Sequence, residues 1–480
     1  MVPMTLQEIA ETVGGVLYDA PDPDARVDRP AVINSRLADH GSLFVALAGQ
    51  HTDGHRFARA AVTAGAVGVL GARPVGVPAV VVPDVIAALA RLAQGVFARL
   101  EAPTVVALTG SAGKTSTKDL LAQVLETMDT TVATPRSFNN EIGLPLTVLA
   151  AEPGTRYLVA EMGASRAGHI AYLTGILAPN IGLVTNVGTA HIGEFGGSKE
   201  AITAAKSELI QALPADGLAV LNADDPYVMS MAAHSAAPVL TFGQAAGEVR
   251  ATEVGLDPAG RPSFTLTHQG AAARVELGMY GVHHVANATA AAAVALGLGA
   301  GLDQVAEALC AARQLTPGRM EVSERPDGIT VVNDAFNANP DSMGVALRAV
   351  AAMADGRRRV VAVLGEMREL GEDSAAHHAE LGRQVAAAGV TALIAVGAEE
   401  AALTHAQAQA RGVASTLVPN REAALDLLLA SLRPGDLVLL KGSHTAGLEE
   451  TAQRLREPAP AQAPVQGLSE DKPWIRLRAR

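Results

Sequence analysis

The stretch TVVALTGSAGKTSTKDLLAQVL, residues 104–125, sets the reading of everything around it. It begins as a short β-branched and aliphatic run and passes through a glycine-containing turn. It continues with Leu120, Leu121, Val124, Leu125 and Met128 on one apolar helical stripe, so the spacing predicts strand, loop and helix in succession. Gly110 and Gly113 allow the backbone to turn and to approach an anion without a Cβ in the way, and free N–H groups at the helix start would face it. The longer phosphate-loop pattern asks for a glycine where Leu108 stands. Gly113-Lys114-Thr115 nevertheless keeps the chemistry, with a cation for the β- and γ-phosphates and a hydroxyl for Mg²⁺. The loop Gly110, Ser111, Ala112, Gly113, Lys114, Thr115 and Ser116 is therefore expected to bind ATP. A chance glycine turn is the alternative, and the flanking strand and helix argue against it.

Outward from this segment the same alternation recurs. YLVAEMG (157–163), IGLVTNVG (181–188), LAVLNADD (218–225), ITVVND (329–334), RVVAVLGEM (359–367), LIAVG (393–397) and DLVLLKGS (436–443) suit buried parallel strands, with Ala/Leu-rich helical segments between them. The chain is an α/β protein, and 480 residues are too many for one ordinary domain. Seams near Pro103 and near QLTPGRMEV (314–322) divide it into 1–102, 103–315 and 316–456, followed by a Pro/Ala/Gln-rich segment, 457–480, expected to be a disordered tail. Residues 244–278 read as a β-hairpin insertion, and Ala288–Leu302 as a buried helix.

Hydrophobic residues at 49% and charged residues at 18% fit packed globular domains, whose cores must rely on aliphatic residues because aromatics are only 3%. A net charge of −12 argues against nucleic-acid binding. One cysteine, Cys310, rules out an internal disulfide and a cysteine-cluster zinc site, which fits a reducing compartment. Neither a signal peptide nor a membrane span is expected, so the reading is cytoplasmic and without membrane insertion.

Three residues stand out beyond the loop. Glu161 ends a strand, where it could hold Mg²⁺ or sit solvated. His191 follows LVTNVGTAH and is odd chemistry for Mg²⁺, which prefers oxygen. Lys206, in AITAAKSEL, reads by default as a solvated helix residue.

With NNEIGLPLTVL (139–149), EMGAS (161–165), TNVGTAHIGEFGG (185–197) and AAKSEL (204–209), the loop resembles in order the central domain of the Mur ligases. These are the ATP-dependent amide-bond ligases that assemble the peptidoglycan stem peptide. The outer segments 33–66, 333–343, 364–378 and 441–443 resemble the member that joins D-alanyl-D-alanine to UDP-N-acetylmuramoyl-tripeptide (UDP-MurNAc-tripeptide). The resemblance implies three domains: an N-terminal uridine-nucleotide-binding α/β domain, a central P-loop ATPase domain with a mostly parallel sheet, and a C-terminal Rossmann-like α/β domain. It also implies a monomer working on small molecules with two Mg²⁺.

By the same resemblance Lys206 is carbamylated, and joins Thr115, Glu161 and His191 around Mg²⁺. Lys114, His191 and Lys206 become the catalytic set. Asn287 faces adenine, and Arg319 and Asp334 reach the nucleotide from the third domain. Ser35 and Arg36 contact the uridine diphosphate. Asn139 and Asn140 become substrate contacts, and Asn337 and Asn339 receive the dipeptide. Three positions depart from the family: Asn34 stands for its usual Asp, Phe336 for Tyr, and His444 for the Arg after KGS. Imidazole cannot supply a guanidinium fork. Folylpolyglutamate synthase and the other Mur ligases are the near alternatives. A P-loop kinase or GTPase fits less well, lacking the first glycine and a guanine-specifying N-K-x-D.

Overall fold

Alternation along the strand Thr104–Thr109 divides its side chains between two cores. Val105 and Ala107 join a cluster containing Leu158, Ala160, Leu209 and the N-terminal residues Leu6, Ile9, Leu89 and Leu92. Val106 and Leu108 point to the other face, against Leu120, Leu121, Val124 and Leu125 of the following helix. Leu108 is fully buried there. The side chain that breaks the longer loop pattern is thus a core residue, as a period of two requires.

The computed structural model describes residues 1–49 and 52–456. Gln50 and His51 of the 33–66 motif, and the segment 457–480 expected as a tail, lie outside the described residues. Three main sheets succeed one another along the chain. The first has four strands, in the order Val16–Tyr18, Ala79–Val81, Gly68–Gly71, Leu43–Val45. The second has nine and contains Thr104–Thr109. The third has six, in the order Glu321–Glu324, Thr330–Asn333, Leu437–Lys441, Val360–Gly365, Ala392–Val396, Ala414–Val418.

In the nine-stranded sheet Thr104–Thr109 lies between Tyr157–Glu161 and Ile181–Val184, parallel to both. The chain fills one side of the loop strand, through Thr131–Ala133 and Tyr157–Glu161, before crossing to Ile181–Val184 on the other. Such a reversal opens a crevice at the carboxyl ends of the strands. Here it collects the glycine turn, Glu161 and the residues after Val184. In the third sheet Thr330–Asn333 pairs in parallel with Leu437–Lys441, which brings Asp334 beside Lys441.

Three expectations need correction. Residues 244–278 are more than a hairpin insertion. Val249–Leu256, Pro262–His268 and Ala271–Glu276 make an antiparallel meander that continues the nine-stranded sheet, because Val249–Leu256 also pairs in parallel with Val239–Gly243. The run Ala288–Leu302 is not one helix: His283–Gly297 ends and Leu302–Ala311 begins afresh. The intervening Gly299-Ala300-Gly301 explains the break, with Gly299 in the left-handed region. Met128 lies beyond the helix Lys114–Glu126, yet packs on the same core.

Candidate active site

The helix Lys114–Glu126 starts at Gly113, whose left-handed backbone carries no side chain able to cap it. Its first N–H groups are therefore left for an anion. The loop is braced from the neighbouring strand. The Asn186 side-chain oxygen accepts from the Ser111 and Ala112 N–H groups at 3.2 and 2.8 Å, and its amide donates to the Ala112 carbonyl at 3.0 Å. Thr185 donates to the same carbonyl at 3.0 Å. Lys114 folds back so that Nζ donates to the Gly110 carbonyl at 2.7 Å. Burial lowers the Lys114 pKa, and the Arg319 charge adds to this while Glu161 opposes it.

A cavity of about 430 Å³ lies over the loop. Residues Ser111–Ser116 line it together with Asn139, Glu161, His191 and Asn287 of the central sheet's region, and with Arg319, Asp334, Phe336, Asn337 and Asn339 from beyond the second seam. A second cavity of about 480 Å³ shares His191, Phe336, Asn337 and Asn339 and extends to Arg136, Arg368 and His444. Lys206 is not in either wall. It is buried, within reach of the Lys114 charge, and burial together with that charge drives its pKa well below the ordinary value. Burial likewise lowers His191, and Glu369 opposes the shift.

The other sequence-chosen residues divide between cavity and scaffold. Arg319 stacks over the Phe336 ring at 4.1 Å and reaches the Thr115 hydroxyl at 3.5 Å. Asp334 accepts from the Met320 N–H at 3.0 Å and pairs with Lys441 at 2.7 Å. Asn287 lines the cavity, but its oxygen accepts from Thr117 at 3.3 Å and its amide lies 3.5 Å from His284 Nδ1. The Asn140 side-chain oxygen accepts from the Ile142 and Gly143 N–H groups at 3.2 and 3.0 Å, just before the helix Gly143–Val148, and Asn140 does not line the cavity. Ser35 and Arg36 sit on a short turn of the first domain, away from both cavities. There the Asn34 oxygen accepts from the Arg36 N–H at 3.1 Å, so the missing Asp charge leaves the capping bond intact.

The donor set fits a hard divalent cation. Glu161 Oε1 accepts from Asn139 at 2.7 Å, while Oε2 is buried without a partner. Among the described residues no three His, Cys, Asp or Glu side chains converge into a protein-only metal cage. Mg²⁺ suits such a sparse set, since it takes one or two protein ligands and completes its octahedron with phosphate and water oxygens.

The chain matches the Mur ligase middle domain over residues 108–295 and the Mur ligase glutamate ligase domain over residues 318–444. The UDP-N-acetylmuramoyl-tripeptide–D-alanyl-D-alanine ligase of Mycobacterium tuberculosis (strain ATCC 25618 / H37Rv) is 47% identical over 500 residues, covering 95% of this chain and 98% of that protein. The chain belongs to the Mur ligase family. The ligase of the same name from Escherichia coli (strain K12) is 34% identical, covering 95% of this chain and 99% of its own. A crystal structure of MurF from Acinetobacter baumannii superposes with a TM-score of 0.80 at 30% identity, over 95% of this chain and 99% of that one. The MurF ligase of Thermotoga maritima in complex with ADP gives 0.74 at 29%, over 89% and 97%.

Against this Mur ligase frame, sequence reasoning missed four residues at the site. Asn186 braces the loop, Lys441 neutralises Asp334, Glu369 touches His191, and His283 lines the cavity. TNVG and KGS were visible as motifs, but nothing local tied Asn186 or Lys441 to a partner.

His283 and His284 lie with ring centroids 4.3 Å apart. Burial pushes His283 down to about 4 and His284 well below its ordinary value. A histidine with a lowered folded pKa binds fewer protons than it does unfolded, so its stabilising contribution is lost as pH falls from about 6.5 towards 4. The Tm is expected to drop on the order of 5 °C between pH 7 and pH 5. His283→Gln should flatten that drop, and an unchanged slope would remove the pair as its cause.

Proposed function

We propose that this chain joins D-alanyl-D-alanine to UDP-N-acetylmuramoyl-tripeptide at the expense of ATP. The observation that carries the reading is the single cavity shared by the glycine turn, Glu161 and His191 with Arg319 and Asp334 of the third domain. A carboxylate oxygen of the tripeptide attacks the γ-phosphorus, the bond to the β-bridging oxygen breaks, and ADP leaves. The dipeptide amine then attacks the acyl phosphate carbon. The tetrahedral intermediate expels phosphate, and the nitrogen loses its extra proton.

Attacking group and triphosphate are both anionic, so the site must gather positive charge. Lys114 and the free N–H groups of the helix start hold the phosphates. Thr115, Glu161, His191 and a carbamylated Lys206 would hold Mg²⁺, which when bound neutralises phosphate charge and aligns the attacking oxygen. The lowered Lys206 pKa supports this, since only a neutral amine adds CO₂. Arg319 and Asp334 close over the nucleotide and keep water from the acyl phosphate. Ser35 and Arg36 receive the uridine diphosphate, and Asn139 orients Glu161.

The adjoining cavity suits the dipeptide, near Asn337 and Asn339. Arg136 and Arg368 there offer guanidinium groups for its carboxylate that His444 cannot. Phosphate release from ATP and UDP-MurNAc-tripeptide is expected to require D-alanyl-D-alanine. A requirement for a single amino acid, or for glutamate with folate, would overturn this reading.

A further inference from the structure

His191 rides on a loop, residues 188–193, which leaves the strand Ile181–Val184 and is held by the third domain at three points. Asp341 Oδ2 accepts from both the N–H and the hydroxyl of Thr189, at 2.7 and 2.8 Å. The Gly193 N–H donates to the Glu369 carbonyl at 3.2 Å. The Gly193 and Gly371 backbones meet so closely that a Cβ on either would overlap the other. The Glu369 carboxylate stands in ion-pair contact with His191 Nδ1, off the ideal line of the ring N–H.

Both residues of that pair have left-handed backbones, with φ of 59° at His191 and 63° at Glu369. Histidine enters this region more readily than most side chains, but glutamate does not, and strain of the kind at Glu369 persists only where the surroundings impose it. The pair is also a poor source of stability, because His191 and Glu369 keep 34% and 47% of their side chains exposed. Two left-handed backbones meeting across a domain seam, one of them strained, for so little gain point to a geometric purpose. With the Glu369 carboxylate set against Nδ1, Nε2 is the ring nitrogen left for a ligand in the cavity.

We propose that Glu369 is a positioning residue. Together with Asp341 it makes the third domain the template that orients the His191 loop, so the imidazole is set for the metal only while that domain is closed. The inference rests on the reading of His191 as a metal ligand. A carboxylate behind a ligating histidine fixes its tautomer and its aim, and losing it typically costs about 10–100-fold in metal affinity.

The test is Mn²⁺ binding to the full-length enzyme with ADP, followed by loss of the free-ion electron paramagnetic resonance signal. Glu369→Ala is expected to weaken Mn²⁺ at least tenfold with its Tm unchanged. Glu369→Gln, which keeps shape and an acceptor oxygen, is expected to fall between the two. Thr189→Val, which removes one hydrogen bond to Asp341 without touching the ring, should cost a few-fold. Mn²⁺ affinity within twofold of the unsubstituted protein in folded Glu369→Gln and Glu369→Ala would overturn the proposal. His191→Ala separates the two levels. If it too leaves Mn²⁺ affinity unchanged, the metal-ligand reading fails. If it alone weakens binding, only the positioning role fails.

Discussion

Lys114→Ala is expected to lower kcat by about 10³–10⁵-fold, the range seen when a cation on a transferring phosphoryl group is removed. Its Nζ lies over the glycine turn, held by the Gly110 carbonyl, and it is the cation on the loop itself. The loss should fall on kcat more than on the KM for UDP-MurNAc-tripeptide, because charge accumulates on the phosphoryl oxygens as the bond to ADP breaks. The fold should not suffer. Burial lowers the Lys114 pKa, so the folded protein disfavours its charge. A lysine with a lowered folded pKa costs stability at neutral pH, and that cost fades as pH rises towards the ordinary lysine value. The Tm of Lys114→Ala should therefore equal or slightly exceed that of the unsubstituted protein at pH 7, with the gap narrowing in alkali. Near-normal ADP release with both substrates present would remove Lys114 from its assigned role, and a large fall in Tm would make it structural.

Lys206→Ala is expected to cost on the order of 10²–10³-fold in kcat, as for loss of one strong electrostatic group at a reacting centre. As an unmodified cation Lys206 would repel Lys114, and each charge lowers what the buried site tolerates. Addition of CO₂ would replace that cation with an anionic oxygen donor, which Mg²⁺ prefers. Two readouts follow. Formate or acetate should partly restore Lys206→Ala by supplying the missing carboxylate oxygens. The unsubstituted enzyme, stripped of dissolved CO₂, should lose activity and recover it with bicarbonate. Carbon-13 bicarbonate should then give a carbamate resonance that is absent in the variant. Full activity without CO₂ and no such resonance would sink the modification, while a silent Lys206→Ala would take the residue out of the site.

Much of this protein could be read before its fold was known, and the reasons are local. The segment 104–125 carries its own periodicities, two in the strand and 3.6 in the helix, and its glycines mark the only place where both can meet. The strands YLVAEMG and IGLVTNVG were legible for the same reason, and so was the acid at the end of the first. Errors came where a pattern had no partner to measure against. Residues 244–278 read as a hairpin insertion because the parallel pairing of Val249–Leu256 with Val239–Gly243 is invisible along the chain. The helix Ala288–Leu302 was drawn through Gly299 because an alanine-rich run hides its own interruption.

Composition, charge, the α/β class, the phosphate-binding turn and the kinship with Mur ligases all lie in residue order, since each depends on neighbours within a few turns or on motif spelling. Which side chains meet does not. Asp334 finds Lys441, Ser111 finds Asn186, and His191 finds Glu369. Each pair is joined by strand order or by the seating of one domain on another. Those contacts bridge from 75 to more than 150 residues of chain, and no local preference specifies them. Burial is what singles out Lys206 from a solvated helix lysine, and burial comes into being only when the helix Lys199–Gln211 packs against the sheet.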